Sequence, residues 1–336
     1  MGSLYLRSQA ELWRRWPTLA LLLLFALALA TPQPALAHGK VRELGTLGPD
    51  FPFSQAYAIN NANQVAGASW GGSTTLVLHA FVWTKAKGMH DLAPQGGNFV
   101  IASAINDRGD VVGDNGRHAI LWAKASEMRD LGSGWAYGIN NNRQVVGGSP
   151  DGAFLWSRIT GRVALGTLGG PASDAAAIAI NNAGQVAGWS STGQRIHAFL
   201  WTAQTGMRDL DPQGEFASYT ADINDRAQVV GYRSTSSGGY HAFLWTKRSG
   251  MRDLGTLGGA LSNATGINNR GQVVGCSRTS TNEQHAFVWT EAGGMRDLGA
   301  GCVEDINDHG AVVGAHLTSG GQWQAMIWTV PGASRP

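Results

Sequence analysis

The chain has 336 residues, with 25 Lys and Arg against 23 Asp and Glu. Only 14% of its residues are charged, where ordinary domains carry about 25%. Three Arg and one Glu fall in the first 37 residues, and without them 22 charges of each sign remain. The chain therefore has no basic stripe or tail suited to nucleic acid, and its 47 glycines suit a turn-dense all-β protein.

The first element in chain order is an export signal. Arg7, Arg14 and Arg15 form a basic start, Leu19 to Ala30 an apolar core of 12 residues, and Ala35-Leu36-Ala37 an A-x-A cleavage site. The apolar core is shorter than the roughly 20 residues of a membrane span, so residues 1–37 read as a bacterial secretory signal peptide. The expected product is exported, periplasmic or extracellular, with no stable membrane span after cleavage. Residues 38–330 then read as a single domain and 331–336 as a short tail.

A string close to HAFLWT recurs seven times after that, with tryptophans at Trp83, Trp122, Trp156, Trp201, Trp245, Trp289 and Trp328. The steps are 39, 34, 45, 44, 44 and 39 residues, a period that signals a repeat architecture. Upstream of each string lies an Ile-Asn pair, from Ile59-Asn60 to Ile306-Asn307, followed by a run such as GQVVG. Downstream comes MRDLG or a relative of it, as at Met128, Met207, Met251 and Met295. The apolar runs are short, rich in Val, Ile, Phe and Trp, and bounded by Gly, Asn, Asp and Ser, as short strands joined by turns are. Each unit therefore predicts four strands, the content of a β-propeller blade. The fold class is all-β, with seven four-stranded antiparallel blades. The repeated tryptophans read as core, because every blade must bury both faces.

The two ends of the chain are complementary. The last unit stops after QAMIWT, whereas VRELGTLG from Val41 precedes the first unit and matches MRDLGTLG from Met251. Residues 41–46 are thus expected to complete the last blade, with Val41 to Leu44 pairing with Ala325 to Thr329. Such closure removes exposed strand edges.

Units of the form IN-x-x-GQVVG, HAFLWT and GMRDLGTLGG resemble the HAF-type extracellular repeat family of bacteria over residues 41–329. The third unit departs from the pattern, with Gly152 in place of His and RVALG in place of MRDLG, and the seventh has QAM for HAF. The resemblance implies an exported repeat protein of unassigned activity and supplies no catalytic residue.

Candidate sites follow from where the units differ. His79, His118, His197, His241 and His285 occur once per unit, so they are spread around a ring and do not converge on one metal ion. They read as structural, as do Asp130, Asp209, Asp253 and Asp297, expected to pair with adjacent arginines or turn amides. No metal or cofactor is expected. Cys276 and Cys302 fall toward one rim of adjacent blades, and an oxidising compartment makes a disulfide between them plausible. The loops on one face carry extra aromatics among Ser, Thr, Gly and Asn, with Trp70, Trp135, Tyr240 and Trp323 as the expected ligand contacts. The residue before the repeated Ile is small in five units, but Asp222 and Asp305 break that rule, with Glu304 beside Asp305.

These features predict a monomeric, non-catalytic binding or scaffold protein that presents an aromatic and polar loop face to a glycan or protein. One alternative is a secreted carbohydrate-active enzyme using Asp222, Glu304 and Asp305. Another is an adhesion or envelope-assembly partner.

Overall fold

The computed structural model describes residues 41–72, 76–93, 99–124, 127–318 and 320–330. The expected signal peptide and the tail 331–336 lie outside the described residues.

Strand β1 (Arg42–Gly45) comes first. Antiparallel quartets follow in chain order. The first contains β2 (Phe53–Ile59), β3 (Val65–Gly71), β4 (Val77–Thr84) and β5 (Gly88–Asp91). The second contains β6 (Ile101–Ile105), β7 (Val111–Asp114), β8 (His118–Ala123) and β9 (Glu127–Ser133). The third contains β10 (Trp135–Ile139), β11 (Val145–Ser149), β12 (Gly152–Ser157) and β13 (Gly161–Ala164). The fourth contains β14 (Ala175–Ile180), β15 (Val186–Ser191), β16 (Ile196–Thr202) and β17 (Gly206–Asp209). The fifth contains β18 (Ser218–Ile223), β19 (Val229–Ser234), β20 (Tyr240–Thr246) and β21 (Gly250–Asp253). The sixth contains β22 (Gly258–Ile267), β23 (Val273–Thr279), β24 (Gln284–Thr290) and β25 (Gly294–Ala300), joined to the fifth by a single parallel pairing of Tyr240 with Leu261. Finally β26 (Cys302–Ile306), β27 (Ala311–Leu317) and β28 (Trp323–Thr329) form a sheet whose fourth strand is β1. Arg42 pairs with Ile327, Glu43 with Met326 and Gly45 with Ala325, so the strand begins one residue later than the repeat pattern predicted.

The HAFLWT strands are apolar on both sides because each faces two neighbouring sheets. Phe81 and Trp83 pack with Val313 and Ala325 of the last sheet. Ala80 and Val82, on the opposite face of β4, pack with Val111 and Trp122 of the second quartet. Six of the seven repeated tryptophans are buried, while Trp201 is partly exposed. The glycine that closes each GQVVG run has a steric cause. A Cβ on Gly67 would overlap the Gln55 carbonyl and lie 2.8 Å from the Phe81 ring. The same overlap with the preceding strand recurs at Gly188 and Gly231.

The Ile-Asn turns lie at one end of the sheets, and their asparagines link neighbouring quartets. Asn60 Nδ2 donates to the Asn106 carbonyl, and the same bond runs from Asn106 to Asn140, Asn181, Asn224, Asn268 and Asn307. Asn307 Nδ2 then donates back to the Asn60 carbonyl at 3.0 Å. A second tier uses the following residues. Asn61 N–H donates to Asp107, and the series continues through Asn141, Asn182, Asp225, Asn269 and Asp308 back to Asn61 at 2.8–2.9 Å.

Each of these turns places its fourth residue, counted from the first Asn, in the left-handed region. Glycine occupies it in four units, but Asn63, Arg143 and Ala227 do so in the others, with φ of 56°, 56° and 57°. Asn63 and Arg143 have compensating contacts, to Asn307 Nδ2 at 2.8 Å and to Asp110 at 2.7 Å. Ala227 has only a methyl group. Replacing Ala227 by Gly should therefore raise stability by about 0.5–1 kcal/mol, because relief of left-handed strain exceeds the entropy that glycine loses. Urea unfolding should show a higher midpoint at unchanged slope.

Candidate functional site

The starts of the first and third strands of each quartet and the end of the second lie at the end of the sheets opposite the asparagine turns. All four expected contact residues sit there, in four different quartets. Trp70 stacks on Phe53 with centroids 5.9 Å apart, as cross-strand partners in one sheet. Trp135 and Trp323 open β10 and β28 and are partly buried. Tyr240 opens β20 and is 36% exposed.

Tyr240 belongs to a larger aromatic series. Its ring lies 5.4 Å from that of Tyr232, which stacks at 5.1 Å on Tyr219, and Tyr219 meets Trp189 edge-on at 6.1 Å. The series crosses β20, β19 and β18 and reaches β15 of the preceding quartet. On the opposite face of β19 and β20, Phe216, Arg233, His241 and Asp253 help line a cavity of about 220 Å³. Two side chains there are oriented by acids: Arg233 Nε lies 2.8 Å from Asp211 Oδ2, and His241 Nδ1 lies 2.7 Å from Asp253 Oδ2. An aromatic series that ends at an exposed tyrosine suits a ligand with an apolar ring face.

Trp189 and Tyr232 were not singled out from the sequence. Each directly follows the recurring glycine of the second strand, where other units carry Ala68, Asp114, Gly148, Cys276 or Ala315. That variation inside an otherwise uniform string was the available signal. The position faces the next quartet, which is why Trp189 meets Tyr219 and why Cys276 meets Cys302 at the corresponding place two quartets on. The two cysteines are joined as a disulfide, with Cα atoms 5.1 Å apart. Asp114, in the same position, has its carboxyl pushed up to about 6 by burial, against the opposing bond from Gly116 N–H.

Asp222, Glu304 and Asp305 lie along the innermost strands. A cavity of about 170 Å³ opens there between the asparagine turns, with Asp222, Asp107, Asp225 and Asp308 among its lining residues. Asp222 Oδ2 accepts from Ile267 N–H at 2.9 Å in the next quartet. Asp305 Oδ2 accepts from Ile59 N–H at 2.9 Å, and Glu304 Oε1 from Gln55 Nε2 at 2.9 Å. Burial pushes the Glu304 carboxyl up to about 7 against that bond. Glu304 occupies the bulge that interrupts β26, the place of Tyr57 in β2. The separation of Asp222 from Asp305, two quartets apart, was undefined in the sequence; their charges interact directly.

The repeated His and Asp residues pair with each other, and of the two partners expected for Asp, arginines or turn amides, the turn amides are the ones seen at Asp130, Asp209, Asp253 and Asp297. Nδ1 of His79, His118, His197, His241 and His285 lies 2.6–2.8 Å from Asp91, Asp130, Asp209, Asp253 and Asp297. The second carboxylate oxygen accepts a turn amide, as from Gly132 to Asp130 at 2.7 Å. The hydrogen bond from His118 and that amide hold the Asp130 carboxyl below the usual range. Of the neighbouring arginines, Arg129 lies over Trp156 at 5.0 Å and Arg252 over Trp289 at 5.3 Å, each in the following quartet. These pairs are mortar between sheets.

No family model and no curated protein sequence matches the chain. Among solved structures it is similar to TolB from Acinetobacter baumannii, with a TM-score of 0.42 and 9% identity over 83% of this chain and 64% of that one. It is also similar to the β-propeller domain of the Trilobed protease from Pyrococcus furiosus, with a TM-score of 0.37, 9% identity, and coverage of 73% and 98%. A gluconolactonase from Xanthomonas campestris gives 0.43, 9%, 88% and 91%. The chain spans less than two thirds of the TolB length. These neighbours are β-propeller proteins. Likenesses at this level concern shape and say nothing of ligand or reaction.

Proposed function

We propose that this chain is an exported, closed, seven-bladed β-propeller of the HAF-type repeat family that binds a glycan on the face opposite its asparagine turns. The observation that carries the reading is the aromatic series Trp189, Tyr219, Tyr232 and Tyr240, open at Tyr240. Aromatic faces shed water from the apolar side of a sugar ring. Closure is supported by the β1–β28 pairing and by the return of the Asn307 bond to Asn60. Export is supported by the basic, apolar and A-x-A segments of residues 1–37. The reading treats the protein as a monomer with the disulfide Cys276–Cys302 formed.

The enzyme reading has less support. Asp222 and Asp305 are each committed to backbone amides of a neighbouring quartet, which makes them interior bracing.

A glycan array with the purified protein tests the binding reading. Tyr240→Ala should abolish most of the signal while leaving the melting temperature within a degree or two of the parent, because Tyr240 is the exposed end of the series. A blank array together with capture of an envelope protein would replace glycan by protein as the ligand. Release of reducing ends from polysaccharide, abolished by Asp222→Asn, would restore the enzyme reading.

A further inference from the structure

We infer that Asp222 and Asp305 hold one proton in common across Gly266, so that the central channel contains a proton-binding site. This inference is independent of the glycan reading.

The sequence prepares the place. Five units have Ala or Gly before the repeated Ile, and the two that carry Asp lie on either side of the unit with Gly266. Asp222 reaches toward that unit from one side, where its Oδ2 accepts from the amide of Ile267, the residue after Gly266, at 2.9 Å. Asp305 stands on the other side, with its Oδ2 accepting from Ile59 N–H of the first quartet at 2.9 Å and its Oδ1 left toward Gly266. A Cβ on Gly266 would stand 3.1 Å from both Asp305 Oδ1 and Asp305 Cα. The missing side chain is therefore the space that admits the second carboxyl. Each Asp also takes the amide of its own following Ile, Ile223 or Ile306, at 2.7 Å.

No cation faces this pair from the strands packed against it. On β26 stands Glu304, bound to Gln55 of β2. On β2 stands Tyr57, whose buried phenol has no hydrogen-bond partner and is driven upward by burial and by Glu304. On β22, Thr265 donates its hydroxyl to the Val303 carbonyl at 2.8 Å. At the channel mouth Asp107, Asp225 and Asp308 accept from the side-chain amides of neighbouring asparagines. The turns at that end also carry Arg108, Arg143, Arg226, Arg270 and His309. Arg143 is committed to Asp110, and Arg226 donates to the Asn269 carbonyl.

Two carboxylates confined together without a counter-ion cannot both ionise cheaply, so one keeps its proton. Burial first, and then the Asp222 charge, raise the Asp305 carboxyl, and burial raises Asp222 as well. The sign follows. The folded chain binds a proton that the unfolded chain has released above about pH 4. The stabilising contribution is full below that pH and is lost as pH rises through the folded-state values. Above them both acids are charged, and they repel.

Asparagine keeps the oxygen that accepts the Ile267 amide and removes the charge. Thermal unfolding from pH 5 to 8.5 should therefore show Asp222→Asn more stable than the parent by several degrees at pH 8.5 and nearly equal to it at pH 5. Equal pH profiles for the two proteins, or an equal loss at both ends, would overturn the inference. Carboxyl-carbon NMR of the parent chain gives an answer even if the variant fails to fold. Two aspartate signals with coupled midpoints well above the rest are expected, and ordinary midpoints for Asp222 and Asp305 would refute the shared proton.

Discussion

A chain that starts at residue 47 should melt about 10–20 °C below one that starts at residue 38. Strand β1 contributes more than a few ladder bonds. Leu44 is buried among residues of the first and last sheets, which is worth about 2–3 kcal/mol. Arg42 lies over Trp83 at 4.7 Å, and Ser54 donates to the Gly45 carbonyl at 2.6 Å. Removing the strand also exposes the edge of β28, with its unpaired amides and carbonyls. Ladder bonds at about 1 kcal/mol each bring the expected loss to roughly 4–6 kcal/mol. Scanning calorimetry of the two chains is the direct comparison. An unchanged melting temperature would mean that β1 does not close the structure.

The second large effect is expected at Asn224. Its Oδ1 accepts from Arg226 N–H and Gln228 N–H at 3.1 and 3.0 Å. Its Nδ2 donates to Gln228 Oε1 and to the Asn268 carbonyl at 2.8 and 3.0 Å. The side chain is buried, with 4% of its surface exposed. Asn224→Ala takes this partner from two amides and from Gln228 Oε1, at about 1–3 kcal/mol for each group that water does not reach, while the Asn268 carbonyl keeps Gly271 N–H at 3.0 Å. We expect a loss on the order of 3–5 kcal/mol in urea unfolding. Asn224→Asp is the sharper test. It keeps the acceptor and the shape but replaces the donor by an oxygen facing the Asn268 carbonyl. A loss comparable to that of the Ala variant would place the stabilisation in the two bonds that Nδ2 donates, to Gln228 Oε1 and to the Asn268 carbonyl. A loss under about 1 kcal/mol in both would show that the turn holds without it.

Much of this architecture was legible because it is periodic. Ile59-Asn60 and its six counterparts, the GQVVG runs and the HAFLWT strings mark strand order and turn position by their spacing alone. The orphan VRELG at Val41 pointed to its pairing with β28, and the structure moves that strand by one residue. Partners across sheets were not legible. The sequence places Asp130 beside Arg129, and adjacency suggested that they pair; in a strand, adjacent side chains point to opposite faces, so Asp130 meets His118 across the ladder and Arg129 reaches Trp156. Trp189 and Tyr232 lie inside strands, where a lone aromatic in a uniform string reads as core and not as a contact. Asp222 and Asp305 stood out as exceptions to a small-residue rule, but their meeting across Gly266 depends on how the inner strands converge, which spacing along the chain does not encode.

The asparagine series has a consequence for how the protein comes apart. Linear repeat proteins fray from their outermost members, which have a neighbour on one side only. Here Asn307 hands its bond to Asn60, so no member is outermost and loosening any one deprives two others. Resistance to piecemeal loss then rests on these bonds between turns.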